Sequence, residues 1–271
     1  LDVVMASLRG EHTEESAAAV EKREKRRARR ERSKAIAEKR KSEAEPVDVP
    51  ERSDVAADVP VATPPFWGSR IVKGISLQDY LPTLDERALF RGQWGLQGTR
   101  GAEGPTYEEL VETEGRPRLR ALLDTLKARG VLDHAAVVYG YFPAVSEGDT
   151  VHVLPTPQPG EQPDPTAEPV MSFTFPRQQR GRFLNIADFI RSRELAVKKG
   201  QVDVLPFQLV TMGNPIAEYA NELFAKDAYR EYLEVHGVGV QLTEALAEYW
   251  HARVRAELVL DEGDAKGQKV S

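Results

Sequence analysis

Residues 21–41, EKREKRRARRERSKAIAEKRK, hold twelve Lys or Arg and four Glu with almost nothing apolar, so this run cannot enter a hydrophobic core. From Thr13 to Glu43 the chain contains no Gly or Pro and is rich in strong helix formers, which predicts a helix of about 30 residues and about 45 Å. Thr13 is the expected N-cap, with Glu14 and Glu15 in the first turn, where the helix dipole favours negative charge. A helix polar all round bridges solvent or leans on its own charge pairs, such as Glu21 with Lys25. The following stretch, EPVDVPERSDVAADVPVATPP (residues 45–65), is spaced by prolines, which disfavours helix and predicts an extended strap. The core must therefore come from the remainder of the chain, from Phe66 onward.

The charge distribution agrees with this division. Residues 1–45 carry 13 Lys/Arg and 10 Asp/Glu, against 24 and 33 in residues 46–271. The basic run is local and the main body acidic, whereas a nucleic-acid groove needs clustered cations to release phosphate counterions. The run is also interrupted by Glu and lacks aromatic residues for base stacking. No nucleic-acid partner is expected. No stretch approaches the roughly 18 apolar residues that span a bilayer, and Leu1-Asp2-Val3-Val4-Met5 lacks the basic start of a signal peptide. No membrane association is expected, and the expected location is the cytoplasm. With no cysteine in 271 residues, disulfides, Cys-ligated zinc and thiol nucleophiles are excluded.

From Phe66 onward, helical and strand periodicities mix. SLQDYLPTLDERALFRGQWGL and TYEELVETEGRPRLRALLDTLKARGVL read as largely helical, the second closed by Gly130. AAVVYGYFPAVSEGDTVHVL reads as a hairpin turning at Ser146-Glu147-Gly148-Asp149. VMSFTFPRQ and VDVLPFQLVTMG read as further strands, FLNIADFIRSRELAVKKG leads into a helix ending at Gly200, and the stretch from Pro215 to Leu260 carries one or two long amphipathic helices. Strands and helices do not alternate strictly. The expected class is α+β, with an antiparallel or mixed sheet flanked by helices and preceded by the charged helix, rather than a doubly wound fold.

Catalytic signatures are sparse. The phosphate-binding, dinucleotide-binding and nucleophile-elbow glycine patterns are absent, and Gly237-Val238-Gly239 lacks the third glycine and a preceding strand. His12, His134, His152, His236 and His251 are too widely spaced to read as metal ligands. The acidic candidates are Glu244 and Glu248, one turn apart on the last long helix, and Asp85 beside a helix start. On spacing alone these are equally a solvated helix face and a cap.

The strings TPPFWGSRIVKG and LDERALFRGQWGLQG (within 63–98), VVYGYFPAVSEGDTV (137–151), FTFPRQQRGRFLNIADFI (173–190), VDVLPFQLVTMG (202–213) and VQLTEALAEYWHARVRAEL (240–258) occur in this order. Together they resemble the C-terminal activation domain of cobalamin-dependent methionine synthase. That resemblance implies a single curved domain around a bent antiparallel sheet. It also implies a reactivation role, in which S-adenosylmethionine is positioned for reductive methylation of inactive cob(II)alamin so that homocysteine can again be methylated from methyltetrahydrofolate. The reacting centre would be the cofactor's metal, which accounts for the missing nucleophile and base.

The resemblance assigns Asp85 to the ammonium group of S-adenosylmethionine and places Glu244 at the same pocket, with no catalytic residue and no metal ligand in this domain. Cobalamin would be bound mainly by the neighbouring domain, and the zinc of the parent enzyme belongs to another domain. The implied partners are the cobalamin-binding domain of the same chain and a flavodoxin-type electron donor, with the protein a monomer. Residues 1–10 are similar to the end of the cobalamin-binding domain, and 11–62 correspond to the interdomain linker ahead of an activation domain at 63–271. The family's Arg-x-x-x-Gly-Tyr motif does not occur before Ser271, so the expectation is an activation domain truncated before it, part of a methyltransferase but not itself catalytic. The alternative is a flavodoxin-docking module that does not itself bind S-adenosylmethionine.

Overall fold

A computed structural model describes residues 27, 30–32, 49–98 and 104–259. The chain divides into two units, Leu1–Pro50 and Glu51–Ser271. In the first, Arg27 and residues 30–32 are helical, as the charged run predicts, and Arg27 pairs with Glu31 one turn on at 3.2 Å. The other expectations for residues 1–48 lie outside the described residues.

In the second unit the chain forms strand β1 (Gly68–Lys73), the short helix α1 (Leu77–Tyr80), a 3-10 turn (Leu81–Thr83) and a π-helical turn (Ala88–Gln93). Helix α2 (Tyr107–Leu110) runs through a π-helical turn (Val111–Gly115) into α3 (Arg116–Ala128). Thr106 and Glu109 form a reciprocal capping box at the start of α2. Then follow β2 (Ala136–Glu147), β3 (Thr150–Val153), β4 (Met171–Thr174), a 3-10 turn (Ile186–Phe189), α4 (Arg193–Lys199), β5 (Asp203–Thr211), α5 (Asn214–Ala225) and α6 (Tyr229–Glu257). The hairpin at residues 147–150 and the left-handed Gly200 closing α4 stand where the sequence predicts them. β1 was not anticipated, because its burial follows no clean alternation.

The sheet is antiparallel throughout and organised by β2. One side of β2 pairs with β5 over residues 136–144; the other pairs first with β1, over 136–141, and then with β3, over 144–147. Pro143 falls where β1 has ended and β3 has not begun. Its carbonyl accepts from the Leu154 N–H at 2.8 Å. In an antiparallel ladder the N–H and C=O of a residue point to the same side, so the missing N–H costs no ladder bond where the neighbouring strand changes. Gly140 is required for a second reason: a Cβ there would lie 2.0 Å from the Gly68 carbonyl oxygen.

One face of β2 presents the buried Val137, Tyr139 and Tyr141 to the core. Helix α6 lies in that core through Val235, Val238, Leu242, Ala245, Leu246, Trp250 and Val254, at the three- and four-residue spacing of a single stripe. Near its end, Glu257 accepts hydrogen bonds from the hydroxyls of Tyr139 and Tyr141, at 3.3 and 2.9 Å.

The compact unit begins at Glu51, ahead of the boundary at 63 that the resemblance implies. The strap is seated by charged groups that composition does not locate. Buried Arg177 binds both oxygens of buried Asp188 at 2.7 and 2.9 Å, Asp149 at 2.7 Å and the Glu51 carbonyl at 2.9 Å. Arg52 donates to the Asp188 carbonyl at 2.5 Å, and the Ser53 N–H to the Asp188 carboxylate at 3.3 Å. Further along, Lys199 pairs with Asp58 at 2.5 Å and Arg191 donates to the Val59 carbonyl at 2.8 Å. Burial alone would raise the Asp188 pKa, but hydrogen bonds from Arg177, Ser53 and Asn185 outweigh it and hold the carboxyl well below the ordinary range.

Candidate functional site

Asp85 and Glu244 lie on different elements that one hydrogen-bonded contact brings together. The Asp85 carboxylate accepts from the Ala88 N–H at 2.8 Å and so caps the helical residues Glu86 and Arg87 that lead into the π-helical turn. The side chain remains exposed. Two residues earlier, the Thr83 hydroxyl lies 2.6 Å from the Tyr80 carbonyl and 2.7 Å from the Ala245 carbonyl of α6. Glu244 precedes Ala245 in that helix and is exposed, while Ala245 and Leu246 are buried. The segment carrying Asp85 is thereby stitched to the turn of α6 carrying Glu244. Glu248 is exposed one turn further on.

From β5, Gln208 donates to the Ala247 carbonyl at 3.0 Å. Neither Thr83 nor Gln208 was singled out in the sequence, because a lone Thr in a turn and a lone Gln in a strand carry no pattern. One turn before Ala245, Gln241 is buried and its Oε1 has no hydrogen-bond partner.

Among the described residues neither Asp85 nor Glu244 takes part in an ion pair, and both are exposed. A carboxylate pair at the junction of a turn and a helix can hold an ammonium group by charge-assisted hydrogen bonds. Beside Asp85, a pocket of about 490 Å³ is walled by Leu81, Leu84, Leu119 and Leu123 and rimmed by the Glu86–Arg116 ion pair at 2.9 Å. A separate cleft of about 710 Å³ is lined by Arg52, Glu147 and Arg193 among others, and neither cavity is lined by Asp85 or Glu244.

Among the described residues, no group of three or more His, Asp or Glu comes together as a metal site. His152 is held structurally, its ring nitrogens 3.0 Å from Glu147 and 2.8 Å from the Ser172 hydroxyl. No helix among the described residues is long and apolar enough to cross a membrane. The motif pair RQQ and NIADF proves to be one unit, since Arg177 and Asp188 bind each other.

A family model described as "Vitamin B12 dependent methionine synthase, activation domain" matches residues 77–266. Methionine synthase of Mycobacterium tuberculosis (strain ATCC 25618 / H37Rv) is 66% identical over 262 residues, covering 95% of this chain and 22% of that protein. Methionine synthase of Mycobacterium leprae (strain TN) is 63% identical over 265 residues, with the same coverage of 95% and 22%. The chain thus spans about a fifth of the length of these curated relatives. Among solved structures, the crystal structure of the MetH reactivation domain bound to AdoHcy is similar, with a TM-score of 0.56 and 25% identity over 78% of this chain and 61% of that one. On these grounds the chain belongs to the family of activation domains of vitamin B12-dependent methionine synthases.

Proposed function

We propose that this chain is the reactivation module of a cobalamin-dependent methionine synthase and that it holds S-adenosylmethionine between Asp85 and Glu244. The observation that carries the reading is the Thr83 contact to Ala245, which sets the two carboxylate-bearing segments side by side. The structural neighbour bound to AdoHcy supports the ligand class. The fit is chemical: the ligand's amino-acid end presents an ammonium, and both side chains are exposed carboxylates with no basic partner among the described residues.

Bound cobalamin would supply the nucleophilic metal. The chain's own contribution is positional, holding the ligand so that the sulfonium methyl faces the reacting centre. Asp85 takes the ammonium, and Glu244 contributes a second carboxylate from α6. In the whole protein this step restores the methylation of homocysteine from methyltetrahydrofolate. The cobalamin-binding domain of the same protein is then the partner presented to this site, and a flavodoxin-type protein the electron donor, in the cytoplasm.

The test is calorimetric titration of S-adenosylmethionine into a full-length methionine synthase carrying this domain. Asp85→Asn should weaken binding about tenfold or more, since a hydrogen bond to a charged group is worth about 1.5–3 kcal/mol. Thermal stability should hold, because Asn caps a helix as well as Asp does. An affinity within twofold of the unsubstituted protein would remove Asp85 from the site and favour a docking module that does not bind the ligand.

A further inference from the structure

Helix α6 carries a feature that its own stability does not require. Ala245 and Ala247 lie well inside the helix, where each carbonyl accepts from the N–H four residues on. Both carbonyls nevertheless receive a side-chain donor from another element: Thr83 from the 3-10 turn at 2.7 Å, and Gln208 from β5 at 3.0 Å. They follow Glu244 and precede Glu248, so both contacts fall within the acidic turn. A backbone carbonyl has no rotamers of its own. A bond to it therefore registers the helix along its axis, where one residue of slip displaces a side chain by about 1.5 Å and turns it about 100°.

We infer that Thr83 and Gln208 are positioning residues, which fix Glu244 relative to Asp85 and thereby set the geometry of the ammonium-binding pocket. This inference rests on the assignment of Asp85 and Glu244 proposed above. Thr83 is two residues from Asp85 and bonds beside Glu244, so the path between the carboxylates runs through one hydroxyl. Gln208 holds the same turn from the sheet, so the helix cannot swing away as a rigid rod about the Thr83 contact. Both donors are exposed, so neither is needed for core packing. Their removal should be felt in ligand geometry, where a misplacement of about 1 Å costs up to about a hundredfold.

The experiment titrates S-adenosylhomocysteine, which keeps the ammonium and carboxylate but has no transferable methyl, into a full-length methionine synthase carrying this domain. The variants are Thr83→Val, Thr83→Ser, Gln208→Met, Asp85→Asn and the double variant Thr83→Val with Asp85→Asn, each also followed by thermal unfolding. The inference expects Thr83→Val and Gln208→Met each to weaken binding about tenfold with little change in melting temperature, and Thr83→Ser to restore it. It also expects Thr83→Val to cost almost nothing further once Asp85 is Asn, because a group that acts through Asp85 loses its effect with it. If Asp85→Asn weakens binding while Thr83→Val and Gln208→Met do not, or if the double variant is additive, the positioning role is overturned. If Asp85→Asn itself leaves binding unchanged, the underlying site assignment falls and the positioning role with it.

Discussion

Replacing Asp188 by Asn removes one charge from the buried pair that seats the strap. In the folded chain both Asp188 oxygens bind Arg177, and one also accepts the N–H groups of Ser53 and Asn185. Removing one partner of a buried ion pair costs about 3–5 kcal/mol, because the other charge stays desolvated without compensation. Arg177 keeps Asp149 and the carbonyls of Phe183 and Glu51 in the variant. The lower end, about 3 kcal/mol, is therefore expected. For a domain of this size that lowers the melting temperature by about 6–12 °C.

Urea denaturation gives the stability change, and amide hydrogen exchange across residues 51–59 locates it. The variant should exchange faster in the strap, while the Val137–Tyr141 stretch of β2 changes only in step with global stability. The pH dependence has a definite sign. The folded pKa of Asp188 is depressed, so its contribution is complete above the unfolded carboxylate value of about 3.9 and is lost as pH falls below it. Asp188→Asn should lack this component. A stability loss below about 1 kcal/mol, or strap exchange equal to that of the unsubstituted chain, would refute the view that this pair holds the strap.

Gly140→Ala should disrupt the pairing of β1 with β2, since its Cβ would meet the Gly68 carbonyl oxygen at 2.0 Å; a cost of about 3 kcal/mol by chemical denaturation is expected. Tyr80 is buried, its hydroxyl 3.6 Å from the Met212 sulfur, and burial together with Asp133 pushes its pKa up to about 12. Its contribution is therefore complete below pH 10 and lost as pH rises through about 12, and Tyr80→Phe should shift the alkaline unfolding midpoint upward relative to the unsubstituted chain. Tyr141→Phe leaves Glu257 with Tyr139 and Arg253 as partners and should cost about 1.5 kcal/mol in denaturant unfolding.

Much of the architecture was legible along the chain because its signals are local. The hairpin turn, the Gly200 stop and the stripe of α6 each follow from residues within a few positions of one another, where turn chemistry and helical period act directly. β1 was missed because an edge strand with mostly exposed residues shows no alternation; it is a strand only because β2 offers it a ladder. Asp85 and Glu244 were marked by resemblance, and on spacing alone each could as well have been a cap or a surface residue. What joins the segments that carry them is the Thr83 bond to Ala245, between residues 162 positions apart in the chain.

The strap marks the same divide. Its prolines predict that residues 45–65 are not helical, because ring constraint is a property of each residue, and residues 49–65 carry no helix. Where the strap ends as a linker and begins as part of the folded unit was decided by Arg177, Asp188, Arg191 and Lys199, which lie far along the chain. Composition, charge asymmetry and period were properties of the sequence itself and determined the class of fold. The site, the seat of the strap and the registry of α6 depend on hydrogen bonds between distant residues. Such bonds exist only once the sheet and the helix have buried their apolar faces and brought the donors within reach.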